Sequence, residues 1–116
     1  MHDAKTTVSE LIALVERFII ERDWQPFHDP KNLSASIAIE AAELMEHFQW
    51  LRSDQLGDVR HDPKAMADIR DEVADIAAYL LSFARAMGID VSSALEEKME
   101  KNAAKYPADK FKGRFR

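Results

Sequence analysis

Apolar side chains recur along most of this chain every three or four residues, which is the spacing of one face of an α-helix. The longest apolar row consists of Met66, Ile69, Val73, Ile76, Leu80, Phe83 and Met87. No segment alternates apolar and polar residues in the manner of a half-buried strand. The pattern predicts four helices: residues 7–23, 33–51 and 63–87, and a fourth that starts at Asp90 or Ser93 and ends before Pro107.

Helix start and stop signals stand at the ends of these rows. Thr7-x-x-Glu10 reads as a capping box, in which each side chain satisfies a free backbone N–H of the other residue. Asp62 followed by Pro63 is a typical helix start, because proline is well suited to the first helical position. Gly88 is suited to the left-handed turn that ends a helix. These signals predict an all-α fold, and the short connections favour an antiparallel four-helix bundle.

The chain has 116 residues, which is about one domain, and we assign residues 1–107 to one helical domain. Residues 108–116 form a basic tail. The net charge of −5 argues against a nucleic acid polymer as partner, because an acidic body repels phosphate. No apolar segment approaches the ~18 residues of a membrane helix, and the polar start lacks a signal-peptide core. With no cysteine for disulfides or thiolate sites, we expect a cytoplasmic protein.

Two pairs of acidic residues lie beside the apolar rows. Glu40 and Glu43 stand three residues apart in the second predicted helix, as do Glu72 and Asp75 in the third. Each of the four directly precedes a residue of an apolar row, so both pairs flank their rows on the same side. If the two helices pack through these rows, four carboxylates converge at the edge of the core.

Four converging carboxylates repel one another, and a divalent cation with a preference for oxygen ligands relieves that repulsion. Mg²⁺ or Mn²⁺ is the natural candidate. The alternative is an ordinary solvated helix face, because acidic pairs at this spacing are common. Small neighbours such as Ala41 and Ala74 leave room for a ligand between the helices, although alanine also simply favours helix.

Four segments together resemble a known family. They are RDWQPFHDPKNL at 22–33, IEAAELMEHFQW at 39–50, DEVADIAAYLL at 71–81 and EKMEKNAAKYP at 97–107. Their order and spacing resemble the MazG-like, all-α nucleoside triphosphate pyrophosphohydrolases, most closely the short dCTP pyrophosphatase branch. The resemblance implies Mg²⁺-dependent hydrolysis between the α and β phosphates of a nucleotide such as dCTP, giving monophosphate and pyrophosphate, in a house-cleaning role. It also implies that Glu40, Glu43, Glu72 and Asp75 are the metal ligands and catalytic carboxylates.

The same resemblance implies which residues bind the nucleoside triphosphate. They are Trp24, Phe27, His28, Lys31, Asn32, Trp50, Lys98, Asn102, Lys105 and Tyr106. Flat aromatic rings stack on bases, while the alternative for the tryptophans and Phe27 is core packing. Asn32 has a second interpretation as the cap of the second helix. Lys98, Asn102 and Lys105 share one helix face, which is suited to phosphate or is simply solvated.

The apolar rows are too broad for one chain to cover. Residues 18–20 and 79–81 are consecutive apolar runs, and such runs extend beyond a single helix face. The resemblance implies a homodimer or homotetramer whose pockets use residues of two chains, so we expect oligomerisation to complete the bundle.

Two other functions fit parts of the pattern. One is a non-catalytic all-α interaction module that binds nucleotide or a partner protein, which predicts no stabilisation by metal. The other is a di-iron carboxylate bundle, which ordinarily needs Glu-x-x-His pairs. Neither acidic pair here has histidine at that position, so the di-iron interpretation is the weakest.

Overall fold

The structure is a computed structural model that describes residues 1–115. Within these residues, all regular secondary structure is helical. Arg116, the last residue of the predicted basic tail, lies outside the described residues. In chain order the helices are α1 (Val8–Ile20), α2 (Pro30–Glu46), α3 (Leu56–Val59), α4 (Pro63–Ala86), α5 (Val91–Lys105) and α6 (Ala108–Phe111). Short 3₁₀ turns cover Gln25–Phe27 and Ser53–Gln55. Over the same residues, no helix combines the length and apolar character needed to cross a membrane.

Each of the four long helices begins at a side chain that accepts hydrogen bonds from the free N–H groups of its first turn. The caps are Thr7, Asp29, Asp62 and Asp90. Proline follows Asp29 and Asp62 directly, at the first helical position. After α4, Gly88 adopts the left-handed conformation with a φ of 66°, as predicted for a helix stop.

Helix α2 begins and ends earlier than the sequence pattern predicts. The predicted span was 33–51, whereas the structure gives Pro30–Glu46 followed by turns. The start differs because Asp29 caps the helix and Pro30 fits its first position. The interpretation of Asn32 as the cap is therefore wrong: its backbone N–H donates to Asp29 Oδ1 over 2.8 Å. The predicted polar loop before α4 also contains one short helix, α3.

Helix α4 is the central element, and it packs most extensively on α2 and next on α1. Helices α2 and α4 run antiparallel. His28, just before α2, lies beside Tyr79 in the second half of α4, whereas His47, just after α2, lies beside Glu72 one to two turns earlier. Helix α5 makes only marginal contact with the other helices of the chain.

A single chain covers little of its apolar surface. Among the described residues, only Ile19, Leu33 and Ala84 are buried apolar side chains. The accessible surface is 9494 Å², whereas a compact 13.2 kDa monomer exposes ~6,400 Å². The radius of gyration is 17.4 Å, compared with about 13 Å for a compact domain of 100 residues. The broad apolar rows expected from the sequence are therefore left uncovered by one chain.

Candidate functional site

Three of the four predicted carboxylates form a cluster where α2 faces α4. Glu40, Glu43 and Glu72 each offer an oxygen within 4.8 Å of the others. Glu40 and Glu43 lie one turn apart on α2, and the antiparallel packing sets Glu72 of α4 opposite them. Asp75 lies one turn further along α4; it is exposed, and its charge acts on Glu40. The structure thus brings Glu72 of α4 to the acidic pair of α2, while Asp75 acts on Glu40 through its charge.

The electrostatics of this carboxylate cluster are unfavourable without a cation. Burial is the largest cause that raises the pKa of Glu40 from 4.5 to about 7. A protonated Glu40 can also donate a hydrogen bond to Glu43 or Glu72, and the charges of Glu43 and Asp75 add to the rise. Within residues 1–115, Glu40 Oε2 and Glu72 Oε2 are buried and have no hydrogen-bond partner. Buried oxygens of this kind ordinarily have a partner, so these two are free to bind a cation.

The donor set fits a hard divalent cation. The three clustered residues all offer carboxylate oxygens, which Mg²⁺ and Mn²⁺ prefer over sulfur ligands. Three carboxylates in a group, with a fourth one turn away, supply the negative charge that such a cation neutralises. The two unpartnered oxygens of Glu40 and Glu72 are the specific structural feature that a bound cation would satisfy.

An aromatic array extends from the carboxylate cluster along α4. The ring of His28 lies nearly parallel to Trp24, with centroids 6.4 Å apart, and nearly parallel to Tyr79, with centroids 6.3 Å apart. His28 Nδ1 lies 2.8 Å from the Trp24 carbonyl oxygen, which fixes the histidine ring against the loop. Phe18 meets Trp24 edge to face at 5.7 Å. These rings offer flat surfaces, and Tyr79 is the one that follows Asp75 by one turn on α4.

Tyr79 joins the aromatic array although it is not among the predicted substrate-binding residues. Its signal was present, because Glu72, Asp75 and Tyr79 are spaced i, i+3 and i+7 and therefore share one face of α4. The tyrosine was counted instead as part of an apolar run. A cavity of about 300 Å³ lies beyond His28 between α1 and α4. The ion pair of Glu16 with Arg85 links the two helices there.

Three further residues predicted to bind substrate are more exposed, two at the start of α2 and one past its end. Phe27 is 66% exposed, and Trp50, which lies past the end of α2, is 85% exposed. Lys31 is exposed near the start of α2. The amide of Asn32 donates to the Phe27 carbonyl oxygen over 3.3 Å, so this side chain braces the loop that carries the aromatic rings. Core packing therefore does not account for Phe27 or Trp50 within one chain.

The last group of predicted substrate-binding residues lies on α5 and just after it. Lys98 and Lys105 are exposed, and Asn102 is half-buried. Lys105 Nζ lies 5.3 Å from the ring centroid of Tyr106, which in turn meets Phe111 edge to face. Because α5 makes only marginal contact with α2 and α4, one chain does not pack these residues against its own carboxylate cluster.

Fold and site together define an all-α protein in which two antiparallel helices present clustered carboxylates suited to a divalent cation. The chain belongs to the MazG-like family, whose family model matches residues 35–114. The match includes all four predicted metal ligands.

The chain is also similar to individual proteins of known name. It is 34% identical over 107 residues to dCTP pyrophosphatase 1 of Mus musculus, and 34% identical over 102 residues to dCTP pyrophosphatase 1 of Homo sapiens. These matches cover 92% and 88% of this chain, but the chain spans only 63% and 60% of the relatives' length. A solved pyrophosphatase from Archaeoglobus fulgidus superimposes with a TM-score of 0.81 and 40% identity, covering 92% of this chain and 98% of that one.

Proposed function

We propose that this protein is a nucleoside triphosphate pyrophosphohydrolase that cleaves dCTP or a related nucleotide between the α and β phosphates. The observation that carries the proposal is the cluster of Glu40, Glu43 and Glu72 with its two unpartnered buried oxygens, in a chain of the MazG-like family. The dCTP pyrophosphatases to which it is similar support the choice of substrate. Cleavage at this bond gives a nucleoside monophosphate and pyrophosphate, which suits a role in controlling the nucleotide pool.

We assign the cation site to Glu40, Glu43, Glu72 and Asp75, with Mg²⁺ as the physiological ion and Mn²⁺ as a substitute. A bound cation supplies charge neutralisation for the triphosphate and lowers the pKa of an attacking water. The carboxylates would hold the ion, and one glutamate would accept the proton that water loses on attack at the α phosphorus. The bridging P–O bond then breaks and pyrophosphate leaves, so no side-chain nucleophile is required.

The aromatic array is the proposed site for the base. Trp24, His28 and Tyr79 present flat surfaces in one array, of which Tyr79 lies one turn from Asp75 on α4, and stacking on such rings contributes ~1–3 kcal/mol per base. Phe27, Lys31 and Asn32 lie at the start of α2 beside these rings, whereas Trp50 lies past the other end of the helix. A base held here places its triphosphate toward α4 and the carboxylates.

We further propose that the active unit is a homodimer or homotetramer in which α5 of one chain completes the bundle of another. The uncovered apolar surface of the single chain supports this, as does the position of α5 away from α2 and α4. In such an assembly Lys98, Asn102, Lys105 and Tyr106 of one chain lie beside the carboxylate cluster of its neighbour, where lysines pair with phosphate oxygens.

The decisive experiment is to incubate the pure protein with Mg²⁺ and each nucleoside triphosphate in turn. Products are identified by phosphorus NMR. Monophosphate plus pyrophosphate establishes cleavage between the α and β phosphates, and the order of rates identifies the preferred base. Diphosphate plus orthophosphate contradicts the proposed bond. If nothing is turned over and Mg²⁺ with nucleotide leaves the melting temperature unchanged, the chain is instead a non-catalytic interaction module.

A further inference from the structure

His47 lies where α2 ends and faces α4 beside the carboxylate cluster. It is the C-terminal cap of α2, and its backbone N–H donates to the Leu44 carbonyl oxygen over 3.2 Å. Its Nε2 atom lies 3.6 Å from Glu72 Oε1. The side chains of His47 and Glu72 are 28% and 18% exposed, so the contact is largely shielded from solvent.

The two oxygens of Glu72 have different surroundings. Oε1 faces the imidazole of His47, whereas Oε2 is buried and has no hydrogen-bond partner within residues 1–115. A carboxylate that is held through one oxygen presents the other in a defined direction. Metal-binding carboxylates are commonly held in this way by a hydrogen-bonding neighbour that does not itself touch the metal.

A row of charged residues on α4 runs past the imidazole, and Glu72 is the member in contact with it. Lys64, Asp68 and Glu72 follow one another at intervals of four residues, and Lys64 Nζ donates to Asp68 Oδ2 over 2.9 Å. Lys64 lowers the pKa of Asp68, and the charge of His47 acts in the same direction. The imidazole therefore interacts with two successive carboxylates of this row, and neither of them is on its own helix.

We propose that His47 is a positioning residue whose Nε2–H group, 3.6 Å from Glu72 Oε1, orients that carboxylate by a polar contact and so directs Glu72 Oε2 toward the cation. The inference rests on the cation site of the proposed function. It assigns no ligand role to His47, because the imidazole meets Glu72 on Oε1 rather than on the unpartnered oxygen. A cavity of about 300 Å³ behind His47, lined also by Leu51 and Ile69, leaves room for other side chains of similar size.

The test is a titration of the full-length, nucleotide-free protein with MnCl₂, followed by electron paramagnetic resonance of the free ion. We expect His47→Leu to weaken Mn²⁺ binding ~10- to 100-fold, as is typical when the group that orients a metal ligand is lost. His47→Gln restores affinity to within ~3-fold of wild type, because its amide nitrogen reaches the position of Nε2 and donates as well. His61→Leu, in the exposed turn before α4, is the matched control and binds as wild type.

Each outcome has a defined meaning. Wild-type affinity in His47→Leu overturns the positioning role while leaving the cation site intact. If His47→Leu and His47→Gln weaken Mn²⁺ binding equally, the N–H donor is not responsible for the effect, and the positioning role is also overturned. Absence of Mn²⁺ binding in the wild type overturns the cation site itself and this inference with it. Circular dichroism confirms folding, and His47→Ala replaces His47→Leu if the leucine variant does not fold.

Discussion

Acidic residues that look alike in the sequence differ in the structure, because only some of them belong to the carboxylate cluster. Of the 21 acidic residues, Glu46 lies on the same helix as Glu43 but belongs to no cluster of the described residues. The spacing predicted Glu40, Glu43 and Glu72 because phase relative to an apolar row follows from helix geometry alone. His47 required the structure, because its role depends on which part of α4 lies opposite it, whereas Tyr79 shares a helix face with Glu72 and Asp75 in the sequence itself.

We expect Glu43→Gln and Asp75→Asn each to lower the rate of nucleotide hydrolysis at least ~100-fold at saturating Mg²⁺, since each change removes a charged oxygen donor without altering side-chain size. Pyrophosphate release measures the rate. Glu46→Gln is the control and keeps wild-type activity. Full activity in both Glu43→Gln and Asp75→Asn would contradict the assignment of these carboxylates.

Glu40 gives the cation-free protein a distinctive pH dependence. Its pKa is about 7 in the folded chain and 4.5 ordinarily, so between these values the folded state holds more protons than the unfolded state. The contribution of Glu40 to the free energy of unfolding therefore falls as pH rises from about 4.5 to 7. Urea unfolding in EDTA at a series of pH values measures the slope.

The variant Glu40→Gln isolates this contribution, because it removes the titrating group and keeps the side-chain volume. We expect the difference in unfolding free energy between wild type and Glu40→Gln to shift in favour of the variant as pH rises through this interval. A difference that is independent of pH from 4 to 8 would contradict the raised pKa. Near neutral pH, we expect saturating Mg²⁺ to reduce the pH dependence of this difference in unfolding free energy, because the cation stabilises the charged carboxylates.

At the scale of helices, the sequence was most informative about where α1, α4 and α5 start, whereas the start of α2 was predicted three residues late. Asp62 with Pro63, and Asp90 as one of two candidates, were recognisable because capping depends on only a few consecutive residues. The end of α2 was harder to predict from the sequence, because the apolar spacing continues to Leu51 although the helix stops at Glu46. Where a helix ends in the middle of an apolar pattern, tertiary contacts decide, and here that end places His47 and Trp50.

The cap of α4 offers a direct test at this scale, since α4 carries Glu72 and Asp75. Asp62 Oδ1 accepts hydrogen bonds from the N–H groups of Lys64 and Ala65 over 3.0 and 3.2 Å. We expect Asp62→Ala to lower the free energy of unfolding by about 1 kcal/mol, within the usual range for loss of a cap. Asp62→Asn retains an acceptor oxygen, so we expect a smaller decrease in the free energy of unfolding. Equal stability of Asp62→Ala and wild type in urea unfolding would contradict the capping role.

At the scale of the whole molecule, the single chain is incomplete in two respects. Its apolar surface is uncovered, with Leu95 of α5 59% exposed, and its predicted phosphate-binding lysines do not pack against its own carboxylates. A second copy resolves both if α5 of one chain lies against α2 and α4 of the other. The sequence indicated the excess of apolar surface. It could not predict which helix faces meet between chains, because the periodicity of one helix does not depend on its partner.

This arrangement predicts complementation between two inactive variants. Glu43→Gln disables the carboxylate cluster, and Lys98→Ala disables the phosphate contact on α5. In a mixed dimer, the intact cluster of one chain meets the intact lysine of the other at one of the two sites. Since half the dimers in an equal mixture are mixed, refolding the variants together restores about a quarter of wild-type activity. If each site were formed within one chain, refolding the variants together would restore no activity. The arrangement also requires that sedimentation give at least twice the 13.2 kDa mass of one chain.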